Sequence, residues 1–537
     1  MTPNFRRLMG LARACLLLGA SVASQGAVIP PGTPLAARQE MVRDNYAEPE
    51  SLDPALVSSA ISNNILVDLF ETLVALDDHA HAVPGVAQSW QQTDATTWVF
   101  RLRGNASWSN GEPVTAQDFV HSWRRLVDPK TAAPLASTYG AWLLNGAAIV
   151  QGRMPVTALG VRAIDSLTLE VKTPGPLPYL PLLLTATQMS PVPRATVDRF
   201  GTAWTRPGNL VGNGAYVLKD WQVNGKLVVE KSPTYWDAAN VSLTRVTYLP
   251  VEDGNADLKL YQSGEEDMTG RVPPGAYGAL KAQFPEEMHD SRVIGMRFHA
   301  LNNADPLLKD VRVRQALSMV IDREVLASRI TADGEAPLYG LTIAGGEGVD
   351  PVRYDWADWP MDRRVAEARR LLAAAGVKPG TRLEFAYDNS DFQKRVAVFT
   401  ASEWKTKLGL DTDLESMELK VLIHKVHSGD YQVARHAWTP GFADISGFLQ
   451  LVQCDSNDDS SCDKAGNELM RQAAAEADPA KRRTLMTQAV RVEMADYPMI
   501  PLLQLTRTRL VKPWIGGYDD ANDQDVFRSK DFYVIRH

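Results

Sequence analysis

The feature that most restricts the fold is a change of hydrophobic rhythm halfway along the chain. In the first half, apolar and polar residues alternate in short runs. Thr97-Trp98-Val99-Phe100-Arg101-Leu102-Arg103 puts Trp98, Phe100 and Leu102 on one face, the pattern of a half-buried strand. Leu167 to Val171 and Leu227 to Glu230 repeat it, and Gly104-Asn105, Asn110-Gly111 and Asn224-Gly225 supply turns between such strands. In the second half, helical spacing takes over. Val313, Ala316, Leu317, Val320 and Ile321 fall on one helix face. Asp362 is placed to cap a helix with the face Val365, Ala368, Leu372 and Ala375, stopped by Gly376. A strand is expected at 383–387, a helix from 391 to 408 ended by Gly409, a strand at 431–438, and helices near 465–477 and 479–496. Strands alternating with helices imply an α/β lobe. The 537 residues are too many for one core, so several domains are expected.

The chain opens MTPNFRRLMGLARACLLLGASVASQGA. Arginines precede a short apolar run and small residues follow it, the layout of a secretory signal peptide over 1–26. The run is far shorter than the ~20 residues that span a bilayer. The mature chain is therefore expected outside the cytoplasm. Of its cysteines only Cys454 and Cys462 then remain, bracketing a short polar loop. In an oxidising compartment they are expected to form a local disulfide. Asp455, Asn457 and Asp459 imitate the start of a calcium loop, but its sixth position is Ser460 and its twelfth Gly466, where Gly and Glu are needed.

The formal net charge of −8 argues against a nucleic-acid partner, because binding a polyanion needs a positive field. No G-x-S-x-G, H-E-x-x-H or G-x-x-x-x-G-K-[ST] occurs. His79 with His81, and His424 with His427, are spaced to share a metal, yet neither pair has further ligands nearby in sequence. The residues therefore suggest an exported binding protein, with no catalytic residue, no cofactor and no metal site.

A set of motifs sharpens this. Ser51-Leu52-Asp53-Pro54, Gly85-Val86-Ala87-Gln88-Ser89-Trp90, Trp98 to Arg103, Trp108-Ser109-Asn110-Gly111 and Pro113 to Phe119 come first. Asn213-Gly214-Ala215-Tyr216, Ser232-Pro233-Thr234-Tyr235-Trp236, Asp310 to Leu317 and Arg509 to Tyr518 follow in order. With these the chain resembles the large periplasmic solute-binding proteins of ABC importers, in their oligopeptide-binding branch, solute-binding family 5. The resemblance implies the two-lobed α/β periplasmic-binding-protein fold (class II, venus-flytrap) with an extra small domain on the first lobe. It implies a first lobe over 28–69, 195–295 and 507–537, the extra domain over 70–194, and the second lobe over 296–506. It also implies a monomer that closes over a small peptide or peptide-like ligand and is recognised by a membrane permease.

The same resemblance assigns a ligand site. Relatives hold the peptide's amine with an aspartate in a segment like V-A-R-A-G-W-C-A-D-Y. Here that segment is Val433-Ala434-Arg435-His436-Ala437-Trp438-Thr439-Pro440-Gly441-Phe442. Arg435 and Trp438 match, Gly441 stands at the aspartate, and Asp444 is the nearest substitute. Thr439 and Gly295 take the two positions of a family disulfide. Gln393 and Val426 replace basic residues that catch peptide C-termini, while Arg435 and His427 are kept. Leu503, Gln504 and Leu505 replace cleft tyrosines, and Arg271 and Arg297 are gained. Ala437 to Thr439 would pair with the ligand main chain, Trp438 would wall the cleft, and Ser58, Ala60 and Phe442 complete the expected set. A lost acid and gained arginines point to an acidic, blocked or cell-wall-derived peptide. The alternative is a metal-chelate, haem or other non-peptide solute, with His79, His81 or His436 at the ligand.

Overall fold

The computed structural model describes residues 26–77, 81–344, 346, 348–440, 444–454, 463–476, 478–522 and 524–537. The signal-peptide expectation, His79, Gly441, Phe442, Cys462 and most of the calcium-like loop lie outside them.

Two large apolar cores organise the chain into two lobes. One gathers buried residues from Met41 to Met268 and again from Val511 to Val534. The other runs from Ile294 to Leu503. The first contains a four-stranded sheet in the order Glu40–Asp44, Arg245–Leu249, Lys226–Lys231, Tyr216–Gln222. It also contains an antiparallel sheet in the order Ala87–Asp94, Thr97–Leu102, Thr168–Lys172, Val161–Asp165. Trp98, Phe100 and Leu102 are buried as their alternation predicts. They share a core with the helix Ala116–Val127, whose start is fixed by a capping box between Thr115 and Asp118.

The second lobe is built on β1 (Met288–Leu301), β2 (Ala336–Pro337), β3 (Arg382–Asp388), β4 (Asp411–Met417), β5 (Val433–Trp438) and β6 (Met499–Leu510). Its helices are α1 (Val311–Met319), α2 (Met361–Ala374), α3 (Asp391–Leu408), α4 (Leu419–His427), α5 (Lys464–Ala475) and α6 (Pro479–Ala495). The sheet order is β2-β6-β1-β5-β3-β4. β3 is parallel to β4 and β5, whereas β1 is antiparallel to β5 and β6.

The long strands β1 and β6 connect the lobes. Met288 and Leu510 pack in a small separate cluster, while Ile294 to Leu301 and Met499 to Leu503 enter the second core. Their pairing is irregular between Arg292 and Met296. Gly295 lies in that break, where an added Cβ would come within 2.8 Å of Leu505 and 2.9 Å of the Thr439 hydroxyl.

The helix ends explain themselves locally. α3 starts where the Ser390 hydroxyl accepts from Gln393 N and stops at Gly409, whose φ of +74° suits glycine. α2 corrects an expectation: it begins after Pro360, and Asp362 sits in its first turn instead of capping it. Proline's fixed φ makes the entry, and the acid still favours the positive helix end. α1 ends at Met319, although Val320 and Ile321 stay fully buried. Asp322 ends the periodicity by capping the next turn.

Candidate functional site

In the second lobe, the chain runs from β3 through α3 to β4 on one side. It then returns through α4 across β3 to β5. Right-handed crossovers in opposite directions place α3 and α4 on opposite faces of the sheet. The loops leaving β3 and β5 therefore diverge beyond the carboxyl ends of these strands, a switch point in the strand order. Such a switch point is where open α/β sheets take their ligands. Asp388 ends β3, Trp438 ends β5, and the first turn of α3 carries Phe392 and Gln393.

Pairing of β5 with β1 sets which side chains meet there. Arg435 opposes His299 and Ala437 opposes Arg297 on one face; His436 opposes Phe298 and Trp438 opposes Met296 on the other. His299 is fully buried, bonded at 3.0 Å to the Thr400 hydroxyl of α3. Burial drives its pKa down to about 3, so it is a neutral core residue. Arg435 donates from Nε to Asp388. Arg297 donates from Nε to Glu335 and lies 4.5 Å over the Phe392 ring. On the opposite face His436 stacks on Phe298 at 4.7 Å, and the Trp438 indole donates to the Gly447 carbonyl at 2.7 Å. Thr439 packs against Gly295, so the two positions paired by the resemblance are neighbours.

Other expected residues stand elsewhere. Asp444 is nearly fully buried, and both its oxygens accept from Arg482 at 2.7 and 2.8 Å. It also accepts from the Ser446 amide and hydroxyl. A carboxylate so saturated has no capacity left for a ligand amine, which corrects its reading as a substitute anchor. Tyr179 of the first lobe reaches this point: its ring lies 5.2 Å from the Arg482 guanidinium and its hydroxyl is hydrogen-bonded to Ser446. Leu503, Gln504 and Leu505 are buried, and Gln504 is tied to Ala344 and Val293. They are sheet core, not open cleft wall. Val426 is also buried, Gln393 is almost so, and His427 is exposed at the end of α4.

Arg271 is exposed on the first lobe, over Tyr46, with its guanidinium donating to the Glu252 carbonyl. It makes no contact with the β5–β1 group among the described residues. Ser58 and Ala60 are exposed at the start of the first-lobe helix Ala60–Leu69, where Ser58 bonds to Glu50. No group of three His, Cys, Asp or Glu residues suited to a metal occurs among the described residues. His81 is bonded to Asp77 and His436 to the Ala437 carbonyl, each at 3.0 Å. Cys454 is disulfide-bonded.

Sequence reading missed Asp388, Glu335, Phe392, Arg482 and Tyr179. Asp388 alone left a local sign, an acid at the end of an expected strand and just before a helix cap. The others are brought in from distant segments.

Comparison with known proteins agrees with this architecture. Residues 81–460 match the model of the bacterial extracellular solute-binding proteins, family 5, middle region. The chain is 39% identical over 544 residues to the periplasmic oligopeptide-binding protein OppA of Escherichia coli K12, covering 100% of both. It is 35% identical over 542 residues to the probable deoxycholate-binding periplasmic protein YgiS of the same organism, again covering 100% of both. The unliganded open form of the periplasmic murein tripeptide-binding protein MppA superposes with a TM-score of 0.89 at 37% identity, over 95% of this chain and 99% of that one. A second structure of MppA, from Escherichia coli, superposes at only 0.75, with 37% identity over 94% and 100% of the chains. Among the described residues no helix is long and apolar enough to cross a membrane. Two cores joined by β1 and β6, a family match over residues 81–460 and full-length similarity lead to one assignment: the chain belongs to the family 5 extracellular solute-binding proteins and is a transport receptor, not an enzyme.

Proposed function

We propose that the chain is a periplasmic receptor, acting as a monomer, that delivers a peptide or peptide-like solute to the permease of an ABC importer. The division into a first lobe (28–69, 195–295, 507–537), an extra domain (70–194) and a second lobe (296–506) is part of this reading. The ligand lies against the switch-point crevice and presents no free amine at the Gly441 end. One observation carries that detail: position 441 is glycine, and the nearest acid, Asp444, is consumed by Arg482. An ammonium desolvated there without a carboxylate costs several kcal/mol, roughly 3–5. Similarity to proteins named for oligopeptides and murein tripeptides supports the peptide class.

Calorimetry with a Lys-containing tripeptide and its N-acetylated form tests this. The acetylated form is expected to bind at least as tightly. Submicromolar binding of the free-amine form, lost on acetylation, overturns it. A second reading, a non-peptide organic acid, draws on the similarity to a protein named for deoxycholate. Mass spectrometry of the solute that co-purifies with the native protein separates the two.

A further inference from the structure

We propose that Asp257 and Glu266 share one proton, and that this shared-proton bond locks the first-lobe anchor of the crossing strand β6. The lock opens by releasing the proton, so it loosens as pH rises.

A tight return of the chain makes the pair. Asp253 caps the helix Gly254–Ser263, and Gly264 ends it at a φ of +80°. The next residues turn back and bring Glu266 to Asp257. Asp257 is 0% exposed and Glu266 1%. One oxygen of each is bonded to the backbone: Asp257 Oδ2 accepts from Gly270 N at 3.1 Å, and Glu266 Oε1 from Asp44 N at 2.9 Å. The other two, Asp257 Oδ1 and Glu266 Oε2, are sealed from solvent and meet no donor from any other group among the described residues. They are left to each other, and the two side chains are hydrogen-bonded. A bond between two carboxyl oxygens needs a proton, because ionised carboxylates only accept.

The neighbouring charges do not replace that proton. Asp44, on the adjoining strand, is a third buried acid, its oxygens accepting from the Val251 and Tyr46 amides. Arg271 is close enough for Asp44 to feel it, but its guanidinium is exposed and donates to the Glu252 carbonyl. Arg43 turns away to the Phe527 carbonyl, and Lys512 lies 3.9 Å over the Tyr261 ring. Arg509 pairs with Asp525. Asp267 points to the Val42 amide and the Trp514 indole, and Glu265 is exposed beside Ser263. Burial, with repulsion inside the pair and from Asp44, therefore raises its affinity for a proton.

The same segment holds β6. Thr269 N donates to the Leu510 carbonyl at 3.0 Å, and Leu510 N to the Thr269 hydroxyl at 2.9 Å. Lys512 N donates to the Asp267 carbonyl at 2.8 Å, and Met268 bridges to both Arg43 and Val511. Residues 267–269 thus fasten the end of β6 to the first-lobe sheet. A free Glu266 titrates near 4.5, so the lock is full below that value and weakens above it. An opening that wets the pair and frees one proton becomes easier by about tenfold per pH unit.

Hydrogen exchange of the full chain, read by mass spectrometry and corrected for the intrinsic effect of pH, tests this on peptides covering 266–271 and 508–512. In the wild type, protection there is expected to fall at least tenfold between pH 6 and pH 9. Glu266→Gln gives Asp257 a permanent donor, and Asp257→Asn gives one to Glu266; each should limit the fall to less than threefold. Either amide variant suffices if the other does not fold. Glu265→Gln, at an exposed neighbour, should fall as the wild type does. Glu493, another buried acid, is unchanged in all four proteins, so its effect cancels. No fall in the wild type, or the same fall in the amide variants, overturns the lock. Recovery of wild-type protection at pH 9 by 5 mM calcium chloride, reversed by EDTA, also overturns it, since the pair would then hold a cation.

Discussion

At the scale of single residues, buried acids carry most of the information that sequence reading missed. Asp388, Glu335 and Asp444 each decide what an arginine can do. Their effect depends on a partner dozens of residues away, which no local pattern records. Glu493 on α6 is an acid of another kind. It is fully buried against Gly466, and neither carboxylate oxygen has a hydrogen-bond partner among the described residues. Burial, with Asp463 and Asp496 adding repulsion, pushes its pKa up to about 8. The folded protein therefore holds a proton that the unfolded chain, titrating near 4.5, gives up earlier. Stability from this group is full below that lower value and is lost as pH rises towards 8. Glu493→Gln should remove the loss, raising stability by about 2 kcal/mol at pH 8 and by little at pH 5. Urea unfolding at both pH values checks this, and an equal change at both contradicts it.

At the scale of elements, local signals were strongest where one segment controls its own ends. The bounds expected for α3, 391–408, are those observed, because Ser390 and Gly409 fix them within the segment. Gly409→Ala is expected to cost about 1 kcal/mol, since alanine resists a φ of +74°. Thermal denaturation measures it, with ligand affinity nearly unchanged because the strain falls at the end of α3 away from Phe392. β1, β6, β4 and α4 were not anticipated. β1 and β6 change lobes midway, so no single face or period runs along them. α4 exposes Leu419, Val421 and Ile423, which blurs its apolar stripe.

At the scale of the whole molecule, the position of the lobes matters more than any one contact. The chain matches an unliganded open form at TM-score 0.89. β1 and β6 cross between the lobes, with Gly295 at their irregular point. Closure around a ligand should reduce the radius of gyration. Small-angle scattering before and after the co-purified solute is removed by unfolding and refolding checks this: the stripped protein should be the larger, and re-addition should reverse the change. Equal radii in both states contradict a closing receptor.

The sequence alone determined the two rhythms of the chain and the motif order that marks the family, because each is written in neighbouring residues. It also placed Arg435, Ala437 and Trp438 on one strand. Only the tertiary structure decided which charges are free. Whether an arginine can bind a ligand, or an acid an amine, depends on the partner that packing brings to it. Asp444 is taken up by Arg482 from α6, while Arg297 and Arg435 are each held through Nε by Glu335 and Asp388, partners that no neighbouring residue announces.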